Sequence, residues 1–120
     1  MIGNRSNLRT YGSISLFVVA LTILGLYLRF WIMNEGSIAY KDDHGSVAIN
    51  WLLPLAYLGD SRAQWLVGCA FEHQLDPSEE NRKNANYWFN RAGKLPSSLN
   101  GSLVADESRV KFFKRECGEL

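Results

Sequence analysis

Cys69 and His73 stand four residues apart, a spacing that puts a thiol and an imidazole on one face of a helix, where they could pair or supply two metal ligands. A reactive thiol needs an electropositive, partly exposed surrounding, and a metal needs a third ligand; the neighbouring residues offer neither. The expected reading is a buried cysteine beside a surface histidine. Asp42-Asp43-His44 also carries ligand-type side chains, but adjacent residues do not by themselves build a cage, and the run reads as an acidic linker. Cys69 and Cys117 are the only cysteines and form no C-x-x-C pair. In an oxidising compartment they can close one disulfide, and in the cytosol they would be small buried hydrophobes. Phosphate-loop, dinucleotide-binding, nucleophile-elbow and zinc-protease patterns are absent from the sequence, so a non-enzyme with no cofactor, no metal and no small-molecule substrate is expected.

These residues must be carried by helices. Ser46 is placed to cap a helix in which Val47, Ala48, Trp51, Leu52, Leu55 and Leu58 form one broad apolar face, interrupted by Pro54. Gly59 supplies a left-handed stop, and Asp60 or Ser61 caps a second helix with Ala63, Leu66, Val67 and Ala70 inward. So short a turn makes the two helices antiparallel. In Asp76-Pro77-Ser78-Glu79 the sequence predicts a third start, with Asp76 as cap and Glu79 reaching back. That helix carries Ala85, Trp88, Phe89 and Ala92 and ends near Gly93 and Pro96. After a loop over 97–102, a last amphipathic segment from about Asp106 to Cys117 places Val110, Phe113 and Cys117 inward and Arg109, Lys111, Lys114 and Arg115 largely elsewhere.

A different chemistry governs the first third of the chain. No residue from Thr10 to Leu28 is charged, and with Arg29-Phe30-Trp31-Ile32-Met33 the apolar run reaches the roughly 20 residues needed to cross a bilayer. The run exceeds a usual signal-peptide core and lacks a small-x-small cleavage site, so an uncleaved anchor is expected. Arg5 and Arg9 favour a cytoplasmic N-terminus, with the remainder of the chain on the far side. The expected organisation is an anchor over residues 1–33, a polar, glycine-containing linker over 34–45 and an all-α domain over 46–120. Of the 13 Lys/Arg only Arg5, Arg9 and Arg29 precede Asn34, whereas all 12 Asp/Glu lie beyond it, so residues 34–120 carry a formal charge of −2, which argues against a nucleic-acid surface.

One pattern recurs. Ala48-x-x-Trp51-x-x-x-Leu55-Ala56-x-x-Gly59 is echoed 37 residues later as Ala85-x-x-Trp88-x-x-x-Ala92-Gly93, a period typical of stacked helical hairpins. With Ala63, Val67-Gly68 and Phe71, these residues resemble one full unit and the first helix of a second in the Sel-one-like repeats, relatives of the tetratricopeptide repeats. The resemblance covers about residues 46–93 and departs where 94–105 inserts a loop before the last helix. It implies a short α-solenoid that works as a non-catalytic adaptor. Short envelope-directed proteins of this kind are similar to immunity proteins that neutralise toxins delivered between bacteria, including by type VI secretion. The expectation is therefore an inner-membrane, single-pass binding module with a periplasmic C-terminal domain that holds a toxin effector; the alternative is a structural adaptor of a membrane complex.

Trp51 and Trp88 occupy repeat positions and are expected in the core. Trp65, off its helix's small-residue stripe, is a candidate contact for the partner, together with Tyr57 and the acidic set Asp76, Glu79 and Glu80, which helix capping also explains. If the domain is exported, a Cys69 to Cys117 disulfide is expected, because both residues lie on the inward sides of their helices.

Overall fold

In a computed structural model every element among the described residues is a helix. The description covers residues 2–99, 104 and 106–118, without the side chains of residues 2–6 and 8. The described residues form five helices, in chain order α1 (Ile2–Lys41), α2 (Gly45–Tyr57), α3 (Ser61–His73), α4 (Glu79–Arg91) and α5 (Glu107–Gly118). Residues Met1–Trp31 form one compact unit and Ile32–Leu120 the other.

In the first unit every described side chain from Arg9 to Trp31 is exposed, Leu16, Phe17 and Phe30 among them, and the helix is long and apolar enough to cross a membrane. Thr22 satisfies its hydroxyl by donating to the Val18 carbonyl at 2.8 Å, as a polar side chain in an apolar helix must.

The second unit begins inside α1. The expected linker over 34–45 is instead helical as far as Lys41, and its inward residues Ile32, Met33, Gly36, Ala39 and Tyr40 recur at helical spacing. Gly36 is there for contact, not for flexibility: a Cβ on it would overlap Leu52 of α2, so its absence lets the two helices approach. The helix stops at Asp43, which takes φ 62°, a value Asp tolerates; the His44 N–H reaches the Ala39 carbonyl at 2.9 Å and the Asp43 N–H the Tyr40 carbonyl at 3.1 Å. This six-to-one turn recurs at Gly59 (φ 96°), where Asp60 N donates to Leu55 O, and at Gly93 (φ 71°), where Lys94 N donates to Phe89 O. Asp42-Asp43-His44 is thus a helix stop.

Two starts differ from expectation. α2 begins at Gly45 with His44 at the cap position and no side-chain cap, and Gly45 lies so close to Gln74 that a Cβ there would overlap it. α4 begins at Glu79 with Ser78 as cap, its Oγ accepting from Asn81 N at 3.0 Å. Asp76 lies two residues outside the cap and offers its backbone carbonyl to Asn81 Nδ2 at 2.7 Å. Asp60 caps α3 by accepting from Ala63 N, and Asp106 accepts from Arg109 N at the start of α5.

α3 is the centre. α2, α4 and α5 all pack on it, so that eight consecutive residues, Ala63 to Ala70, are buried. Gly68 admits the Phe89 ring against the α3 backbone, since a Cβ there would come within 2.6 Å of the ring carbons. Phe89 in turn stacks on Phe113 of α5, centroids 4.4 Å apart, and meets Trp65 at 4.8 Å. The repeat positions Ala48 and Ala85 are fully buried and Trp88 nearly so, but Trp51 is half-buried, a correction to its place in the core. Ile49, not Val47 or Leu58, completes the inward face of α2. The inserted loop of 94–105 falls partly outside the described residues, at 100–103 and 105.

Candidate functional site

The antiparallel run of the second unit sorts its side chains between two ends. At one end lie the C-terminus of α2, the N-terminus of α3 and the C-terminus of α4. Gln64 Nε2 donates to the Ala56 carbonyl at 3.0 Å, Tyr57 meets Trp88 edge to face at 5.0 Å, and the Lys94 ammonium lies 5.4 Å from the Trp65 ring centroid. At the other end, Gln74 at the close of α3 donates to the Tyr40 carbonyl at 2.7 Å, and the turn of Asp42, Asp43 and His44 leads into α2 on the side where α4 also starts.

The sequence-predicted contacts divide between these ends. Tyr57 is exposed at the first; Asp76, Glu79 and Glu80 are exposed at the second, where two carboxylates in the first turn of α4 also complement the positive end of its dipole. Trp65 is a correction: it is 4% exposed, because a helix covered by three neighbours has no free side for an off-stripe residue to occupy. Only its edge reaches a groove of about 540 Å³ lined by Lys94, Leu95, Pro96, Phe112 and Glu116.

Cys69 and Cys117 are joined in a disulfide, Cα atoms 5.7 Å apart, so the thiolate–imidazole chemistry considered for Cys69 and His73 does not arise. Among the described residues no group of three or more His, Cys, Asp and Glu is placed to hold a metal ion. The disulfide fixes α5 to α3, and Tyr40 adds α1 by donating to the Cys117 carbonyl at 3.1 Å. Burial, with Asp43 nearby, pushes the Tyr40 phenol up to about 12, so it keeps its proton and remains a donor through the alkaline range. The bond closes a loop of 48 positions, and its replacement by Cys69→Ala with Cys117→Ala is expected to lower stability by about 2–4 kcal/mol in a denaturant titration. An unchanged midpoint would mean that the staple constrains nothing the helices do not already fix.

Sequence reasoning missed one buried charge. Arg109, expected on the outer side of α5, is fully buried and holds Glu72 of α3 in a two-pronged contact, Nε to Oε1 at 2.7 Å and Nη2 to Oε2 at 2.6 Å. Val110, expected inward, is exposed. The stripe through Phe113 and Cys117 extends back to either residue at helical spacing, and only the carboxylate on α3 decides between them.

Compared with known proteins, the chain matches no family model, no curated protein and no solved structure. Two of its helices, α2 and α4, each carry a buried alanine and a tryptophan three residues on, each is followed by a left-handed glycine, and each packs on α3.

Proposed function

We propose that this chain is a membrane-anchored, protein-binding module of Sel-one-like type, an immunity protein that binds and neutralises a toxin effector in the bacterial envelope. The anchor is the apolar part of α1 in the inner membrane, with the N-terminus cytoplasmic and the second unit periplasmic. The observation that carries this reading is the paired packing of the two Ala-x-x-Trp helices on a shared α3, the arrangement by which helical repeats hold another molecule. Placement in an oxidising compartment is supported by the disulfide.

The partner surface is the end that carries Asp76, Glu79 and Glu80. Exposed carboxylates steer a basic partner and set its association rate more than its final affinity, so this end suits a cationic toxin face. The test is co-expression with a candidate toxin from a neighbouring reading frame. The anchored chain is expected to protect the cell, and Asp76→Lys with Glu79→Lys and Glu80→Lys is expected to slow association on the order of tenfold or more and to abolish protection, with the helical signal of the domain intact. Full protection by that variant would remove these residues from the interface, and absence of protection by the native chain would turn the reading to a structural adaptor of a membrane complex.

A further inference from the structure

The opposite end of the second unit has a composition suited to a lipid surface. Leu58 and Tyr57, 82% and 64% exposed, project there from the close of α2. Arg62 in the first turn of α3, Arg91 at the close of α4 and Lys94 just beyond it stand at the same end, all exposed, and none makes an ion pair among the described residues. Two of these cations lie over rings: the Arg91 guanidinium 5.7 Å from the centroid of Tyr87 and 5.8 Å from that of Trp88, the Lys94 ammonium over Trp65. Aromatic bodies with polar tips, an exposed leucine and cations on long stems are the side chains that settle at the headgroup level of a bilayer.

Chain direction gives a second, independent reason. The α1 segment of this unit runs from Ile32 to Lys41 antiparallel to α2, with Gly36 opposite Leu52 and the turn at 42–44 joining them. Ile32, where the chain enters the unit, is therefore level with the last turn of α2, at the end that bears Tyr57 and Leu58. The residue bonded to Ile32 is Trp31, the last of the first unit and exposed like the apolar residues before it.

We propose that the end of the domain formed by Tyr57, Leu58, Arg62, Arg91 and Lys94 docks on anionic phospholipid headgroups of the membrane in which the chain is anchored. The inference rests on the anchor part of the functional reading and is independent of the toxin. Phosphate charge matches the three cations, and the apolar Leu58 with the Tyr57 ring enters the headgroup layer between them. Docking leaves the acidic end of the unit facing the solvent.

The test is hydrogen–deuterium exchange of the full chain in nanodiscs, one set of phosphatidylcholine alone and one with a third phosphatidylglycerol. Backbone amides of residues 56–64 and 90–95 are expected to exchange several-fold more slowly in the anionic discs. Arg62→Glu with Arg91→Glu and Lys94→Glu is expected to abolish that difference, while Lys83→Glu, an exposed charge reversal in the first half of α4, leaves it. A helical circular-dichroism spectrum matching that of the native chain establishes that the variants are folded. Equal exchange in both lipids with the chain retained in the discs overturns the docking and leaves the anchor standing; release of the chain by alkaline carbonate overturns both. Slowing of these amides only when a protein partner is added would assign the face to that partner and overturn the lipid contact.

Discussion

Trp88→Ala is expected to lower the stability of the second unit by about 3–5 kcal/mol, the cost of removing a buried indole from a packed site. Trp88 is 4% exposed and touches Tyr57 and Tyr87 edge to face, each at 5.0 Å, so the substitution opens a cavity and breaks the aromatic contact that joins the ends of α2 and α4. Small domains have a total stability of about 5–15 kcal/mol, and each kcal/mol is worth about 4–8 °C at this size, so the thermal midpoint should fall by about 15 °C or more. Trp51→Ala, at the equivalent repeat position but half-buried, should cost less. Thermal unfolding of the full chain in detergent, followed by near-ultraviolet circular dichroism, separates the two. Equal losses would mean that the repeat positions are equivalent in energy and that exposure at Trp51 has no consequence.

The two helices that carry the tryptophans also end differently. α2 runs on to Tyr57 and stops at Gly59, whereas α4 stops at Gly93, the position equivalent to Ala56, about a turn earlier in the repeat. The echo is legible in the sequence because small residues and tryptophan at fixed spacing report close helix packing directly. Which sides are covered is not legible there. A face is readable from periodicity only when a helix has an uncovered side, as α4 does; α3 has none, so its small-residue stripe says nothing about where Trp65 stands.

The tail of α1 is illegible for another physical reason. Gly36 reads as a breaker, and Glu35, Ser37 and the acidic pair at 42–43 read as solvent-loving, which masks the helical spacing of Ile32, Met33, Gly36, Ala39 and Tyr40. In a helix that leans on another, a glycine at the crossing point contributes proximity, and its conformational cost is offset by the burial it allows. The aromatic and cationic end is likewise dispersed in sequence: Tyr57 with Leu58, Arg62, and Arg91 with Lys94 come together only when α2, α3 and α4 alternate in direction. Tyr57 and the carboxylates of α4, which chemistry alone groups as one contact set, stand at opposite ends for that same reason.

The second large effect is expected at the buried ion pair. Arg109→Met leaves the Glu72 carboxylate, 7% exposed, without its guanidinium and should cost about 3–5 kcal/mol, because a charge stranded in a low-dielectric site loses its partner but not its desolvation penalty. Glu72→Leu strands Arg109 in the same way, beside the Phe113 ring at 5.0 Å. Replacing both removes both penalties, so the double variant should recover most of the loss, and the sum of the single costs should exceed the double by about 2 kcal/mol or more. Arg109→Lys should fall between, since an ammonium cannot reproduce the two parallel contacts of the guanidinium fork. Chemical denaturation of the four proteins measures the cycle, and strict additivity would show that the contact at 2.6–2.7 Å has no energetic meaning. A recovered double variant would still have lost a distinction the pair supplies. Arg109 and Val110 are adjacent on α5, and with an apolar residue at both positions the choice of which faces α3 would lose its charge pair and fall chiefly to the disulfide and the Phe89–Phe113 stack. The double variant with Cys69→Ala and Cys117→Ala should therefore show faster amide exchange along α5 than the disulfide deletion alone, even where its global stability is equal.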